Sequence, residues 1–517
     1  MSPARRGTRA CRTGTPALLC AAGLVAVAAA APLIHLLVRV MSADPERVAP
    51  VLLRPRTLEL LSTSVVVTLA TSVGAFAVGV GTAWVLARVV LPWSGLWRVV
   101  ACLPLAVPSF VAAFGWMGVF PGLSGIGPLV GVLVLSTAPY VTVPTLAAFV
   151  RADQAVTDAA ISLGRSPWRA FVTVTLPQVL PAALAGTLLV ALYSLSDFGA
   201  PALLRVDTLT TGIYAQFAGG FDRSLSAAMA LVLAALALAC VGAEGALRRR
   251  SARLARGRVV PAVRRSFGPA GSSLVTAALA TVAVASVVVP PAALVARLPS
   301  ADRYLSGVDD LARATVTTLA LGLMAAIVTV VAALPVAWLA ARRPGRIVSL
   351  WESVTYVGHA LPGLVVALAL VSLTLAVAPA AYQGPTALVA AYVVLFLPKA
   401  VGSARAAVAG VRPDLEDAAR SLGDGPARVF ARVTFPLAAP GVLAGGVLVL
   451  AAVMKELPAT LLLRPIGVDT LATELWRATS VGAFGAAALP ALLLVAVGLV
   501  PALAVARGIR SIGEDTR

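Results

Sequence analysis

Charge is scarce in this 517-residue chain. Asp, Glu, Lys and Arg together make up 12% of it, whereas hydrophobic residues make up 59%. A soluble globular protein carries about twice that share of charge. The mean hydropathy is +0.94, and apolar runs of about 20 residues, long enough to cross a bilayer as helices, recur along the chain. The composition therefore excludes a soluble protein and predicts an all-α polytopic membrane protein.

Residues that bind metals or form disulfides are also few. The four cysteines and two histidines are Cys11, Cys20, Cys102, Cys240, His35 and His359. No cysteine has CxxC spacing, and neither histidine has a ligand partner one helical turn away. The sequence therefore supports neither a metal site nor a disulfide framework. It also contains no cluster of nucleophile and base that would indicate a membrane enzyme, so we expect no catalytic residues.

Lysine occurs twice, as Lys399 in LPKAV and Lys455 in MKELP. Neither lies in the GxxxxGK[ST] loop whose backbone cradles phosphates. We therefore expect no cofactor in this chain, and in particular no ATP bound by that route.

One polar segment occurs twice. Residues 158–186 read DAAISLGRSPWRAFVTVTLPQVLPAALAG and residues 417–445 read DAARSLGDGPARVFARVTFPLAAPGVLAG. The copies lie 259 residues apart and match at 16 of 29 positions without a gap. This repeat, at half the chain length, indicates a tandem duplication.

Each copy has the pattern of a helix, a turn and a second helix. Gly164 and Gly423 stand where a helix ends in a left-handed residue, which glycine adopts at least cost. The pairs 166–167 (Ser-Pro) and 425–426 (Gly-Pro) follow as N-cap and first position of a new helix. Pro177 and Pro436 are predicted to end that second helix. An ordinary helical hairpin has the same shape, but it does not explain why both halves keep the same surface.

The apolar runs predict twelve spans in two parallel sets of six. They lie near 17–38, 60–87, 97–120, 128–150, 179–204, 224–247, 271–296, 312–341, 350–377, 385–407, 438–463 and 481–506. The predicted domains are a first six-helix repeat (1–247), a basic linker (248–269) and a second repeat (270–517). The first run has the length of a signal peptide too, but no small-residue cleavage site precedes the next charged loop, so we predict an uncleaved span.

Arginine placement sets the predicted orientation. With the N-terminus inside, the inner segments hold 28 arginines and the outer loops hold 10. The positive-inside rule then places both termini and both repeated segments in the cytoplasm of a multi-pass cell-membrane protein. It also explains the net charge of +19 by contact with anionic lipid, so no nucleic-acid partner is expected. The outer loops are too short to form a domain that captures a ligand.

Two acids fall at membrane depth. Asp197 (YSLSDFGAP) and Glu456 (VMKELPATL) are also 259 residues apart, each well along the fifth span of its half. Ionisable groups in spans are functional candidates, so we place Asp197, Lys455 and Glu456 on a translocation pathway. The alternative is that Glu456 is neutralised by a neighbour and only fixes packing. Nearby prolines and glycines predict broken helices, and LPLAVPSF (103–110) and HALPGLVV (359–366) predict kinks in the third spans.

The doubled segment resembles the EAA loop of ABC-importer permeases: an acid, two alanines and a glycine four residues later. Both copies begin with Asp instead of Glu. The resemblance implies coupling loops at 153–181 and 412–440 that dock on ATPase subunits. The residues that match the motif, and therefore imply ATPase coupling, are Asp158, Ala159, Ala160, Gly164, Asp417, Ala418, Ala419 and Gly423.

The fused plan, with SDFGAPALL in the first half and KELPATLLLRP in the second, resembles the ferric-iron importer group. That resemblance implies two copies of an ATPase, which carry the ATP and Mg²⁺, and an extracytoplasmic binding protein that delivers Fe³⁺. Thiamine permeases share the fused plan and remain an alternative. A secondary transporter is a further alternative, disfavoured by the EAA-like loops.

Overall fold

A computed structural model gives the architecture, and every regular element it assigns is helical. It describes residues 15–42, 46, 50, 52–219, 223–254, 268–299 and 308–511. Most of the predicted linker, 248–269, lies outside the described residues, although 248–254 extend the preceding helix.

The first half is built from eleven α-helices in chain order. They are α1 (Thr15–Met41), α2 (Pro55–Arg88), α3 (Ser94–Val100), α4 (Ser109–Val119), α5 (Ile126–Arg151), α6 (Gln154–Ser162), α7 (Pro167–Ala170), α8 (Leu176–Ser196), α9 (Gly199–Leu203), α10 (Leu209–Gly219) and α11 (Arg223–Leu254). A 3-10 turn (Leu103–Ala106) precedes α4, and a π-helical turn (Phe171–Thr175) joins α7 to α8.

The second half repeats this order. Its helices are α12 (Pro269–Ala283), α13 (Val289–Arg297), α14 (Val308–Arg342), α15 (Arg346–Thr355), α16 (Val357–Ala360), α17 (Gly363–Val377), α18 (Pro385–Gly410), α19 (Pro413–Ser421), α20 (Pro426–Val429), α21 (Phe435–Met454), α22 (Pro458–Leu463), α23 (Leu471–Ser480) and α24 (Phe484–Ser511). π-Helical turns join α12 to α13 (Val284–Val288) and α20 to α21 (Phe430–Thr434), and a 3-10 turn (Pro379–Ala381) follows α17.

Ten helical stretches in the described part of the chain are long and apolar enough to span a membrane. They are α1, α2, α5, α7–α8, α11, α12–α13, α14, α18, α20–α21 and α24. The predicted all-α polytopic class is confirmed, but the prediction of twelve continuous spans is wrong at 97–120 and 350–377.

Both of those segments are broken at the predicted proline-rich pieces. In the first half, α3 with its 3-10 turn meets α4 at an angle of 95°. In the second, α15–α16 stop before Leu361 and Pro362, and α17 follows. Because α4 has 11 residues and α17 has 15, at 1.5 Å per residue neither reaches the ~30 Å of a hydrocarbon core.

The helices pack into two compact units that cross the predicted domain boundaries. Unit 1 contains Met1–Ser42 and Arg313–Thr470, and unit 2 contains Ala43–Ala312 and Leu471–Arg517. Thus α1 belongs with helices of the second half, while α23 and α24 belong with helices of the first.

Unit 2 is centred on α2, α5 and α8, whose small side chains let the helices approach closely. Ala75, Val141 and Ala183 are fully buried at this contact. Gly186 lies against the backbone of α5, where an added Cβ would be 2.5 Å from the Tyr140 carbonyl oxygen. Packing through small residues is how membrane helices associate when lipid offers no hydrophobic drive.

Unit 1 uses the corresponding helices α14, α18 and α21. Ala337, Ala404 and Val442 form its buried contact. Gly445, 259 residues after Gly186, again marks the closest approach, since an added Cβ would be 2.7 Å from Ser403 Cβ. Each unit therefore supports a hairpin at one end of this three-helix core and a broken helix further along it.

Candidate functional site

The first candidate site is the hairpin between α6 and α7. Gly164 has φ of +88°, and the Arg165 N–H donates to the Ala160 carbonyl at 3.1 Å, which closes the end of α6 as a Schellman turn. Ser166 then accepts a hydrogen bond from the Arg169 N–H at 3.3 Å, with proline at the first position of α7. The predicted helix, glycine turn and capped helix are confirmed.

The second hairpin, between α19 and α20, has the same turn. Gly423 has φ of +95°, and the Asp424 N–H donates to the Ala419 carbonyl at 3.1 Å. Gly425 occupies the N-cap of α20 and supplies no side-chain cap. The two turns are therefore alike in backbone and differ in side-chain capping.

Pro177 and Pro436 do not end the second helix of each hairpin, so that prediction is wrong. In both copies the helix widens into a π-helical turn just before the proline and continues into the span. The Leu176 N–H donates to the Phe171 carbonyl five residues back. The wider turn rearranges the hydrogen-bond ladder where proline lacks an N–H, so the chain need not break. Each hairpin is thus rigidly continuous with a 29- or 30-residue span.

The motif residues lie mostly on the surface of the hairpins. Asp158, Ala159, Gly164, Asp417, Ala418 and Gly423 are exposed, whereas Ala160 is buried and Ala419 is intermediate. Gln154 donates to Asp158 Oδ1 at 3.0 Å, and Arg420 forms an ion pair with Asp417. The shared spacing therefore brings the motif of each copy onto one exposed turn.

Large apolar side chains beside these turns are exposed as well. Leu163 and Leu422, at equivalent positions directly before the two glycines, are 85% and 88% exposed, and Trp168 is 71% exposed. Leucines in water are unfavourable unless another surface covers them. Each hairpin therefore presents an apolar tip beside charged groups, which is the composition of a protein-docking surface.

The two membrane acids cap equivalent breaks. Asp197 follows α8, and its Oδ1 accepts from the Ala200 N–H at 3.3 Å. Glu456 follows α21 with one residue between, and its Oε1 accepts from the Ala459 N–H at 3.2 Å. The predicted broken helices are confirmed at both places, because each acid satisfies a backbone group that the break exposes.

The surroundings of the two acids differ. In unit 2, the Ser109 hydroxyl and the Tyr193 ring lie beside Asp197, and Tyr140 packs 6.0 Å from Tyr193 between ring centroids. Asp197 and Glu456 belong to different units, so each site is described alone. No lysine occurs in unit 2.

In unit 1, Glu456 lies beside both lysines of the chain. The Lys399 ammonium is close enough to Glu456 to interact electrostatically, and the two ammonium groups also interact with each other. Tyr392 donates to or accepts from Thr460 at 2.7 Å, and the Thr460 hydroxyl donates to the Glu456 carbonyl at 2.7 Å. Sequence reasoning placed Lys455 and Glu456 together but missed Lys399, whose one signal was that lysine is so rare.

A second residue that sequence reasoning missed is Glu416. It is 4% exposed at the base of the second hairpin and pairs with Arg342, which is 13% exposed, at the end of α14. Both Nε and Nη2 of Arg342 donate to Glu416 Oε1, at 3.0 and 2.8 Å. The Thr434 hydroxyl donates to the same oxygen at 2.9 Å, and Arg420 reaches Oε2 at 3.1 Å.

The first hairpin has no ion pair at this place. Thr157 replaces the glutamate and shares a 3.1 Å hydroxyl contact with Thr175. Arg88, which like Arg342 ends a long helix, donates to the Phe149 carbonyl at 3.2 Å. The second hairpin is therefore tied to its unit by charge, and the first by neutral hydrogen bonds.

Comparison with known proteins identifies related chains. The family described as binding-protein-dependent transport system inner membrane component matches residues 75–253 and 333–511. The Fe(3+)-transport system permease protein FbpB 2 of Haemophilus influenzae is 30% identical over 474 residues, which cover 91% of this chain and 94% of that protein. The molybdate/tungstate permease WtpB of Thermococcus kodakarensis is 24% identical over 200 residues, or 38% of this chain and 81% of that protein. The molybdenum permease ModB of Escherichia coli K12 is 32% identical over 139 residues, or 24% and 60%.

Proposed function

Because the chain belongs to the family of binding-protein-dependent transport system inner membrane components, we propose that it is the permease of an ATP-driven importer for ferric iron, coupled to its ATPases through the two hairpins. The single observation that carries the coupling role is the pair of exposed apolar tips, Leu163 and Leu422, on equivalent left-handed turns.

The partners follow from what each surface fits. Two hairpins of like backbone suit two copies of one ATPase, which would hold the ATP and Mg²⁺. The greater number of arginines in the segments predicted to be inside, 28 against 10, supports cytoplasmic hairpins and cytoplasmic termini. The short outer loops suit a separate extracytoplasmic binding protein that captures the substrate. Hydrolysis belongs to the partners, and this chain is the transport subunit.

Ferric iron is the proposed substrate because the relative with that printed function aligns along almost its whole length, across both repeats. The molybdenum and molybdate/tungstate permeases align over 24% and 38% of this chain, which is less than one repeat. Thiamine, the alternative that the fused plan leaves open, has no such relative among the matches described above.

The proposed pathway passes the two broken helices. Asp197, Lys455 and Glu456 are only partly buried, and irregular backbone at membrane depth is tolerated where it lines protein or a water-filled cavity. The breaks in the third spans of both halves supply further irregular backbone of the same kind.

The docking role is tested by changing the turns. Gly164→Val together with Gly423→Val forces a β-branched residue into φ near +90°, at a cost of about 1–3 kcal/mol for each turn. We expect the membrane-inserted variant to lose co-purification of the ATPase and ATP-driven uptake of ⁵⁵Fe³⁺. Gly425→Ser is the control, since Gly425 has φ of −73° and open space around its Cα.

Full retention of the ATPase by the double valine variant would refute coupling through these hairpins. If the ATPase is retained by the wild type and lost by the variant, but neither ferric iron nor any chelate of it is taken up by the wild type, the permease role stands and the substrate is wrong.

A further inference from the structure

The lysines of this chain are distributed in an unexpected way. Lys and Arg together number 41, yet only two are lysine, and both lie in unit 1. Lys399 lies inside α18, more than three turns from either end, and Lys455 is the C-cap of α21. Everywhere else in the chain a positive charge is supplied by arginine. A compact ammonium, unlike a planar guanidinium, acts as a point charge with three freely rotating donors.

The three charged groups are brought together by the fold of unit 1. The Lys399 Nζ lies over the Phe396 ring, 4.7 Å from its centroid, one turn towards the start of α18. Residues on a helix point towards its N-terminus, so this long side chain extends towards the level of Tyr392, where the Tyr392–Thr460 hydrogen bond meets the Glu456 backbone. Electrostatic interaction joins Lys399 to both Glu456 and Lys455.

Neutralising Glu456 does not account for two lysines. Two like charges held close together at membrane depth repel each other, and one carboxylate balances only one of them, so the three groups carry a sum of +1. Unit 2 accommodates the equivalent acid, Asp197, without any lysine. Its residues at the two lysine positions are Tyr140 and Ser196, both uncharged. The repeat architecture therefore does not require the second cation.

From this arrangement, and resting on the proposed function, we propose that Lys399 and Lys455, with Glu456, form a binding site for an oxyanionic group, a carboxylate or phosphate that accompanies the ferric ion as its chelator. All three side chains are only partly buried, so a ligand can reach them. Gly363, the first residue of α17, lies directly against the Glu456 carboxylate, and any side chain there would collide with it. The glycine keeps the site open on that side.

The site is tested by binding of two probes, radiolabelled citrate and inorganic phosphate, to the full chain in nanodiscs of zwitterionic lipid. Lys399→Met and Lys455→Met should each weaken binding on the order of tenfold or more, because each removes a charge-assisted hydrogen bond. Glu456→Gln should strengthen binding, since it removes a repelling charge. Arg56→Gln, which removes an exposed cation paired with Asp207 and Glu59, should leave binding unchanged.

A lysine variant that misfolds is replaced by the neutral triple variant Lys399→Met, Lys455→Met and Glu456→Gln, which leaves no unpaired charge in the site. Loss of binding by this variant, with a wild-type elution profile, supports the site. Wild-type protein that binds neither probe, or a triple variant that binds as well as wild type, overturns it. Binding abolished by phosphatidylglycerol in the disc identifies the anion as a lipid headgroup and overturns the chelator assignment.

Uptake separates this inference from the proposed function. With ATPase and binding protein present, the double lysine variant should lose uptake of iron supplied as ferric citrate. If that uptake is unchanged, the permease role stands and the lysine site is not on the substrate path. If the wild type takes up no iron but still binds citrate through the two lysines, the iron assignment fails and the anion site stands.

Discussion

The buried ion pair at the base of the second hairpin makes a quantitative prediction. Glu416→Gln keeps the size of the side chain and one acceptor oxygen but removes the charge that Arg342 and Arg420 share. The glutamate sits in α19, and Arg342 ends the long helix α14. Loss of this pair should loosen the hairpin from the three-helix core of unit 1.

The magnitude follows from burial. At 4% and 13% exposure, the Glu416 and Arg342 side chains are screened little by water, and removing one partner of a buried pair costs about 3–5 kcal/mol. The amide oxygen introduced by the Glu416→Gln substitution can still accept from Thr434, and Arg342 keeps its 2.8 Å bond to the Val411 carbonyl. We therefore take the lower figure of about 3 kcal/mol. That is a factor of roughly 150 in the opening equilibrium of the hairpin.

Amide hydrogen exchange of the 411–424 segment measures that equilibrium directly. The amides of Gly423 and Asp424 are hydrogen-bonded within the turn and should exchange on the order of 100-fold faster in the variant. Asp417→Asn is the matched control. It removes an adjacent carboxylate whose pair with Arg420 is 70% and 40% exposed, so its effect should stay under about 1 kcal/mol.

Equal exchange rates in the Glu416→Gln and Asp417→Asn variants would refute the reasoning. A double replacement, Arg342→Met with Glu416→Met, should recover most of the protection because it leaves no uncompensated charge. In the first hairpin, Thr157→Ala removes one neutral hydrogen bond to Thr175 and should cost only about 1 kcal/mol. The two hairpins are thus expected to differ in rigidity although their turns are alike.

Three further outcomes are expected. The purified chain should hydrolyse no ATP above background without added subunits, and hydrolysis by the chain alone would contradict the partner assignment. Gly445→Ala should lower the apparent melting temperature, with overpacking of about 1–3 kcal/mol, whereas Gly446→Ala, whose Cβ would be 3.4 Å from its nearest neighbour, should not. Asp197→Asn with Glu456→Gln should strongly reduce iron uptake while ATPase assembly persists; unchanged uptake would remove these acids from the pathway, and a lowered melting temperature with normal uptake per folded molecule would make them packing residues.

Much of the local structure was readable from the sequence because it depends on local backbone chemistry. Gly164 and Gly423 were predictable as left-handed turns, since glycine meets the least steric resistance there. The 259-residue repeat placed Asp197 and Glu456 at matching breaks, and both breaks are present. The path of the chain through Pro177 was not predictable, because a proline that ends one helix can also be accommodated by a π-helical turn in another.

The sequence by itself determined the class, the number of repeats and the position of the hairpins, because hydropathy, glycine and proline act within a few residues of the chain. Tertiary structure alone decided which helices share a unit: α1 packs with second-half helices, and α23 and α24 with first-half helices, a choice made by side-chain fit between faces that all look equally apolar in sequence. It likewise decided that Glu416 meets Arg342 across 74 residues and that Lys399 meets Glu456. Pairings between charges far apart in the chain depend on how the helices pack, and no local pattern records them.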